Sequence, residues 1–145
     1  MSIVTVPIIT AVLTIIGSVI VYVIGLFVSK LIIDPYQDYR KTVGEVAHAL
    51  VYYDNVSERS RRELQDEAAK ALRDKSALLR SKAYCINFYS LLARILPNRI
   101  PTFASVIAAS NALIALSNSV HGGDFVGMKK YKLTVIRCLN LPVDY

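Results

Sequence analysis

The sequence predicts an all-α membrane protein: one N-terminal transmembrane helix over residues 1–33, followed by a cytoplasmic four- to five-helix bundle over residues 34–145. Three observations support this fold class. The chain carries no charged side chain before Lys30. Apolar residues beyond that point recur at every third or fourth position, which is the period of an amphipathic helix. Strict alternation of apolar and polar residues, the pattern of a strand, is confined to very short stretches.

Charge is confined to the second part of the chain. All 17 basic and all 11 acidic residues fall from Lys30 onward, so the formal net charge of +6 belongs to that part. A basic domain beside a membrane favours anionic lipid headgroups as its first partner and nucleic acid as its second. A length of 145 residues allows one domain with a modest core and excludes a multi-domain enzyme.

Residues 3–33 are long enough to cross a membrane. Lys30 is their only charged residue, and a hydrocarbon core of roughly 30 Å needs about 20 apolar helical residues. A cleaved secretory signal is the rival interpretation, but it would begin with basic residues and have a shorter apolar stretch. The nearest basic residues, Lys30, Arg40 and Lys41, all lie on the C-terminal side. This asymmetry predicts that the N-terminus is outside and the domain is cytoplasmic.

Small and hydroxyl side chains gather on one face of this helix. At about 100° per residue they fall within roughly a third of its circumference. Small side chains let helix backbones approach closely in lipid, so this face predicts a homo-oligomer. A narrower hypothesis places several copies around a pore lined by the hydroxyl groups; the alternative is that these residues, common in spanning helices, have no such role. The predicted face consists of Thr10, Thr14, Gly17, Ser18, Gly25 and Ser29.

Capping residues divide the first part of the bundle into helices. Asp34-Pro35 predicts an N-cap followed by proline at the first helical position, so that a new helix begins where the membrane helix ends. A second amphipathic run follows, which Ser57 or Ser60 can cap. Its predicted apolar side consists of Leu64, Ala68, Ala71, Leu72, Leu78, Leu79 and Ala83.

Prolines and glycines divide the rest. A helix over residues 88–96 ends at Pro97, and Thr102 is predicted to cap a helix that runs to about Val120. A last helix is predicted over residues 125–139. Residues 100–120 carry no charge, so a second membrane span is the alternative for this stretch. Its many polar side chains would be costly in hydrocarbon, which favours the central helix of the bundle instead.

The chain shows no constellation of catalytic residues, so we expect neither an enzyme nor a cofactor. His48 and His121 are the only histidines, and neither has a second His or Cys at metal-binding spacing on its own helix. No nucleophile-elbow motif surrounds a serine. Cys85 and Cys138 lack the spacing of a metal site, and we expect both to be reduced thiols.

Basic side chains of the bundle form the second candidate site. Three interpretations stay open: a face that rests on acidic lipid headgroups, ordinary solvated charge, or a site for nucleic acid or a nucleotide. The last is the least favoured, although Tyr84, Tyr89 and Tyr131 would then be available to stack on bases. The predicted basic face consists of Arg94, Arg99, Lys129, Lys130, Lys132 and Arg137.

Three segments carry a resemblance to known proteins: residues 39–41 (YRK), 44–50 (GEVAHAL) and 113–120 (LIALSNSV). Together they resemble a family of small bacterial membrane-anchored proteins of undefined function. This resemblance implies a location in the bacterial inner membrane and supplies no catalytic residues. The architecture of one span and a small helical bundle also resembles pore-forming effectors of antiviral defence, such as the accessory protein of RNA-targeting CRISPR systems. Their soluble part is compared with HEPN ribonucleases, but neither His48 nor His121 has an Arg at the short spacing of the HEPN motif.

Two functions are therefore expected. The first is a non-enzymatic membrane protein that self-associates through its transmembrane helix and forms a pore or disrupts the membrane in antiviral defence. The second is a membrane-tethered module that recruits RNA, a nucleotide or a protein partner through the basic face. The expected partners are other copies of the chain, membrane lipids and a protein, with nucleic acid less favoured.

Overall fold

The computed structural model describes residues 5–54, 56, 61–97, 99–122 and 124–142. Every secondary-structure element in these ranges is helical, which confirms the predicted all-α class. The predicted caps Ser57 and Ser60 lie outside the described residues. The elements are α1 (Thr5–Val28), a π-helical segment (Ser29–Ile33), α2 (Asp34–Tyr52), α3 (Arg62–Tyr84), α4 (Tyr89–Ile95), α5 (Phe103–Gly122) and α6 (Phe125–Cys138).

α1, the π-helical segment and α2 form one unbroken helix. Asp34 has helical backbone angles, with φ −61° and ψ −50°, and its N–H donates to the Ser29 carbonyl five residues earlier. A π-helical turn is wider than an α-helical turn, so it leaves room for the Pro35 ring, which would otherwise clash with a carbonyl of the preceding turn. The prediction that Asp34 caps a new helix is therefore wrong, because Asp34 lies inside a helix that continues.

α2, α3 and α5 run in alternating directions. Lys82 near the end of α3 donates to Asp38 near the start of α2 at 2.8 Å. Arg80 donates to Asn111 of α5 at 2.8 Å, while Arg73 donates to Asn118 at 2.9 Å. Both neighbours of α3 are therefore antiparallel to it. We call the end of the bundle at which α2 begins the near end and the opposite end the far end.

α6 returns along α5 after a short turn. The Thr102 side chain accepts the Ser105 N–H at 3.2 Å, which confirms the predicted cap of α5. The Asp124 carboxylate accepts the Gly127 N–H at 2.9 Å and caps α6. Lys132 of α6 pairs with Asp54, just beyond the end of α2, so the first half of α6 lies towards the far end.

One shared core joins α2 to α6, and α3 faces it largely with the predicted side. Leu64 and Leu78 are exposed, whereas the other predicted residues of α3 are buried or partly buried. Gln65 and Ser76 are buried instead. Ser76 tolerates burial because its hydroxyl lies 2.8 Å from both the hydroxyl and the carbonyl oxygen of Ser110 on α5.

Two helical stretches are long and apolar enough to cross a membrane, judged by length and composition: the unbroken helix and α5. Their packing differs. Residues 7–28 are all exposed. α5 instead buries Val106, Leu113 and Leu116 in the shared core, as expected for the central helix of a bundle.

Removal of the Lys82 ammonium should raise the pKa of Asp38. The hydrogen bond from Lys82 holds the pKa of this carboxyl below its usual value. The pair therefore adds stability above the unfolded-state pKa of Asp38 and loses it as the pH falls through the lowered value. NMR titration of Asp38 in Lys82→Met should show its pKa returning towards the usual value. Lys75→Met is the matched control, because Lys75 lowers the pKa of Glu45 instead. An unchanged Asp38 pKa in Lys82→Met would contradict the antiparallel placement of α3.

Candidate functional site

The predicted small-residue face of α1 is uncovered in the structure. Its members in α1 are exposed, and Ser29 in the π-helical segment is partly buried. A Cβ atom added at Gly17 or Gly25 would meet no atom within 4 Å. The single chain therefore has room for a larger side chain at either glycine, and the face is open to a partner.

Hydroxyl groups on this face bond within the helix. Thr14 Oγ1 donates to the Thr10 carbonyl at 2.9 Å, and Ser18 Oγ donates to the Thr14 carbonyl at 2.8 Å. These bonds satisfy the hydroxyl protons without water, so the face is compatible with hydrocarbon. The hydroxyl oxygens can still accept a bond. The face can therefore pack against a second helix or line a polar channel.

The six residues of the predicted basic face do not form one surface. Arg94 belongs to α4 and Arg99 to the loop before α5, and both are exposed. The start of α5 packs beside the end of α3, with the rings of Phe103 and Tyr84 5.0 Å apart, so these two arginines belong to the near end. Lys129 and Lys130 lie in the first half of α6, which is towards the far end of the bundle. The antiparallel arrangement of the helices separates the two groups.

The basic residues of α6 differ in their surroundings. Lys129, Lys130 and Arg137 are exposed and have no ion-pair partner within the described ranges. Lys132 is partly buried and paired with Asp54. Lys129 and Lys130 therefore keep their full charge available to an anionic partner, whereas much of the Lys132 charge is compensated.

An apolar cavity of about 370 Å³ lies towards the far end of the bundle. Its walls come from α2, α3, α5 and α6 and include Leu50, Leu116 and Ile136. Lys129, Lys132 and Asp54 contribute the charged groups of its lining, and Lys132 is already paired with Asp54. Lys129 is therefore the lining cation that is available to a ligand with an apolar body and an anionic group.

The three tyrosines considered for base stacking are not equivalent. Tyr89 is buried, and its hydroxyl donates to the Pro101 carbonyl at 2.8 Å, so the prediction is wrong for this residue. Burial also raises the pKa of Tyr89. Tyr84 is exposed at the near end, while Tyr131 packs partly buried against the core from α6. These three tyrosines therefore do not share one stacking surface.

The sequence patterns above do not predict an apolar surface at α4. Phe88, Leu91 and Ile95 are 67%, 54% and 63% exposed. Leu91 and Ile95, four residues apart, lie on one side of α4, and Phe88 directly precedes the helix in a left-handed conformation. Tyr89 and Leu92 lie on the other side and pack against the core. The spacing was available as a signal, but it does not distinguish a buried side from an exposed one.

Groups that could hold a metal are not found in the described part of the chain, where no three His, Cys, Asp or Glu side chains come together. Cys85 is exposed, Cys138 is partly buried, and both are free thiols. Comparison with known proteins returns no match to a family model, a curated protein or a solved structure. The resemblances drawn from the sequence therefore stay predictions.

Proposed function

We propose that this chain is a non-enzymatic, single-pass membrane protein that self-associates through α1. The observation that carries this proposal is the exposure of every residue from 7 to 28 in an apolar helix. α1 has 24 residues and extends roughly 36 Å, enough for a hydrocarbon core of about 30 Å. In water such a helix would expose apolar surface along its whole length. In a bilayer the same surface is matched to its surroundings.

The bundle follows on the cytoplasmic side of the inner membrane, with the N-terminus outside. Support comes from Lys30, Arg40 and Lys41, which are exposed and lie just beyond α1. The rival interpretation, a cleaved signal sequence, fits less well with a helix that continues without interruption into α2. Cleavage would leave α2 without the helix that leads into it.

Self-association uses the uncovered face of α1. Gly17 and Gly25 allow close backbone approach, and the bonded hydroxyls of Thr14 and Ser18 add no unsatisfied donor to the interface. Permeabilisation of the membrane in antiviral defence is the most concrete form of this proposal. Its support is the architecture: one exposed apolar helix joined directly to a small helical bundle.

Bulky residues on this face should separate the copies. Gly17→Leu and Gly25→Leu should each weaken association by roughly tenfold or more, because the larger side chain holds the backbones apart. The mass of the full-length protein in nanodiscs, measured by light scattering corrected for lipid, checks this. Gly44→Leu is the matched control, since it lies in the same unbroken helix, outside the span, and its added Cβ also meets no atom within 4 Å.

The mass measurement and a depolarisation assay can each reject part of the proposal. A monomeric wild-type protein would reject self-association outright. Depolarisation of cells that overproduce the protein should be lost in the Gly17→Leu variant if the assembly permeabilises the membrane. Depolarisation retained by a monomeric variant would reject the pore.

The basic surface of α6 favours a second candidate function, a membrane-tethered binding module. Its specific observation is that Lys129 and Lys130 are exposed without an ion-pair partner among the described residues, and that Lys129 also lines the apolar cavity. Such a surface is suited to RNA, a nucleotide or an acidic segment of a protein.

Neutralisation of these lysines should weaken binding of single-stranded RNA to the full-length protein in nanodiscs. Lys129→Gln combined with Lys130→Gln should lower affinity and flatten its dependence on salt, because fewer counterions are released. Arg62→Gln combined with Lys70→Gln removes the same charge from exposed positions of α3 and should have little effect. Equal losses in both double variants would mean that only net charge matters and would reject a site on α6.

A further inference from the structure

We infer that the segment around α4 makes a second contact with the membrane that α1 crosses. In this contact the stripe formed by Phe88, Leu91 and Ile95 enters the headgroup region of the cytoplasmic leaflet, and Arg94 and Arg99 bind anionic lipid headgroups. The inference rests on the proposed function, because it requires α1 to lie in the bilayer. It adds a docked orientation of the bundle on the lipid surface.

α4 packs against α2 at the near end of the bundle. The ring of Tyr89 in α4 packs edge-on against the ring of Tyr39 in α2, with centroids 6.2 Å apart. Tyr39 follows Ile33, the last residue of the π-helical segment, by about 9 Å along the helix axis. Interfacial helices bury their apolar side by roughly 5–10 Å at the boundary between headgroups and acyl chains. α4 therefore lies at the height where the bundle meets the membrane.

Apolar side chains beside the stripe are exposed as well. Leu96, which follows the stripe, is also exposed, and so is Tyr84 at the end of α3. Tyr is enriched at membrane interfaces because its ring is apolar and its hydroxyl is polar. Phe88 has a φ of 59°, a left-handed conformation that is unfavourable for a residue with a side chain. The exposed ring of Phe88 is costly in water, and its transfer into lipid removes much of that cost.

The charged side chains beside the stripe are basic. Arg94 lies on the flank of the stripe and Arg99 follows it, both exposed and without an ion-pair partner in the described ranges. Arg side chains at an interface extend their charged ends to the headgroups while their stems cover apolar surface. No acidic residue occurs between Asp74 and Asp124, a stretch that includes all of α4 and its flanking loops. An anionic lipid surface therefore meets no repulsion from this stretch.

A lipid surface is favoured over a protein partner by the combination of these features. A protein partner would also cover an apolar stripe, but it would have no reason to coincide with the end of the bundle that adjoins the span. The stripe, its basic flank and its height above α1 all agree with one occupant, a bilayer that contains anionic lipid.

Spin labels on the full-length protein test the contact. In a Cys85→Ser, Cys138→Ser background, a nitroxide at Ile95→Cys should collide more with oxygen than with a water-soluble nickel chelate in nanodiscs that contain phosphatidylserine. Val126→Cys at the far end, where the native side chain is 83% exposed, should show the reverse. Ile15→Cys reports separately on whether α1 lies in lipid.

The three positions distinguish the possible failures. Nickel contact at position 95 together with lipid contact at position 15 would overturn the inference and leave the proposed span intact. Protection of position 95 from both reagents would mean a protein contact and would also overturn it. Nickel contact at position 15 would reject the span and, with it, both the proposed function and the lipid contact of α4.

The arginines provide an independent readout. Arg94→Gln and Arg99→Gln should each lower the docked-to-undocked ratio at position 95 by about fivefold in phosphatidylserine nanodiscs, since a basic residue near an anionic surface adds about 1 kcal/mol. The effect should disappear in pure phosphatidylcholine. The pair Arg62→Gln and Lys70→Gln serves as the charge-matched control. No change from the arginine variants in the anionic lipid would overturn the role assigned to their charges.

Discussion

The arrangement of this molecule depends on one local feature, the π-helical segment that carries the chain past Pro35. Proline has no N–H and its ring crowds the preceding helical turn, so it ordinarily ends or kinks a helix. Here the turn widens, and Asp34 bonds to Ser29 across five residues. The helix therefore continues from Pro7 to Tyr52, and no flexible linker separates the apolar part from the bundle. Whatever orientation α1 adopts in a bilayer is passed to α2.

The other helices take their positions from α2. Lys82 and Lys75 of α3 bond to Asp38 and Glu45, which fixes the end of α3 at the near end of the bundle. α4 follows at that end and is held there by the contact between Tyr89 and Tyr39. An interaction between α1 helices of two copies would therefore bring two bundles together in a defined orientation, with their α4 segments at the membrane. The proposed assembly and the proposed lipid contact act on the same rigid body.

The general fold could be predicted from the sequence because its signals are local. Period and charge distribution give the helical class and the apolar N-terminal helix, while Thr102 gives the start of α5. The unbroken helix could not be predicted, because Asp34-Pro35 fits a helix start equally well. The burial of Ser76 in α3 was also out of reach. Ser76 enters the core only because Ser110 of another helix satisfies its hydroxyl.

The candidate sites show the same limit. The face of α1 follows from helical geometry alone, and exposure does not single it out, because residues 7–28 are exposed on every side. The basic residues that were predicted to form one face are not close in space. α5 leads away from Arg94 and Arg99, so the lysines of α6 lie towards the other end of the bundle. The exposed stripe of α4 could not be distinguished from a core-facing one, since Phe88, Leu91 and Ile95 have the period of either.

The unbroken helix is the central claim, and the distance across Pro35 tests it most directly. Nitroxides at Leu26→Cys and Val51→Cys, both exposed positions in a Cys85→Ser, Cys138→Ser background, can be measured by pulsed electron spin resonance in nanodiscs. Dilution of the labelled chain with an excess of unlabelled chain restricts the signal to the two labels of one copy. A continuous helix predicts one narrow distance distribution with a backbone separation on the order of 38 Å. A broad distribution, or a distinctly shorter distance, would show a hinge or a bend between α1 and α2 and would contradict the account.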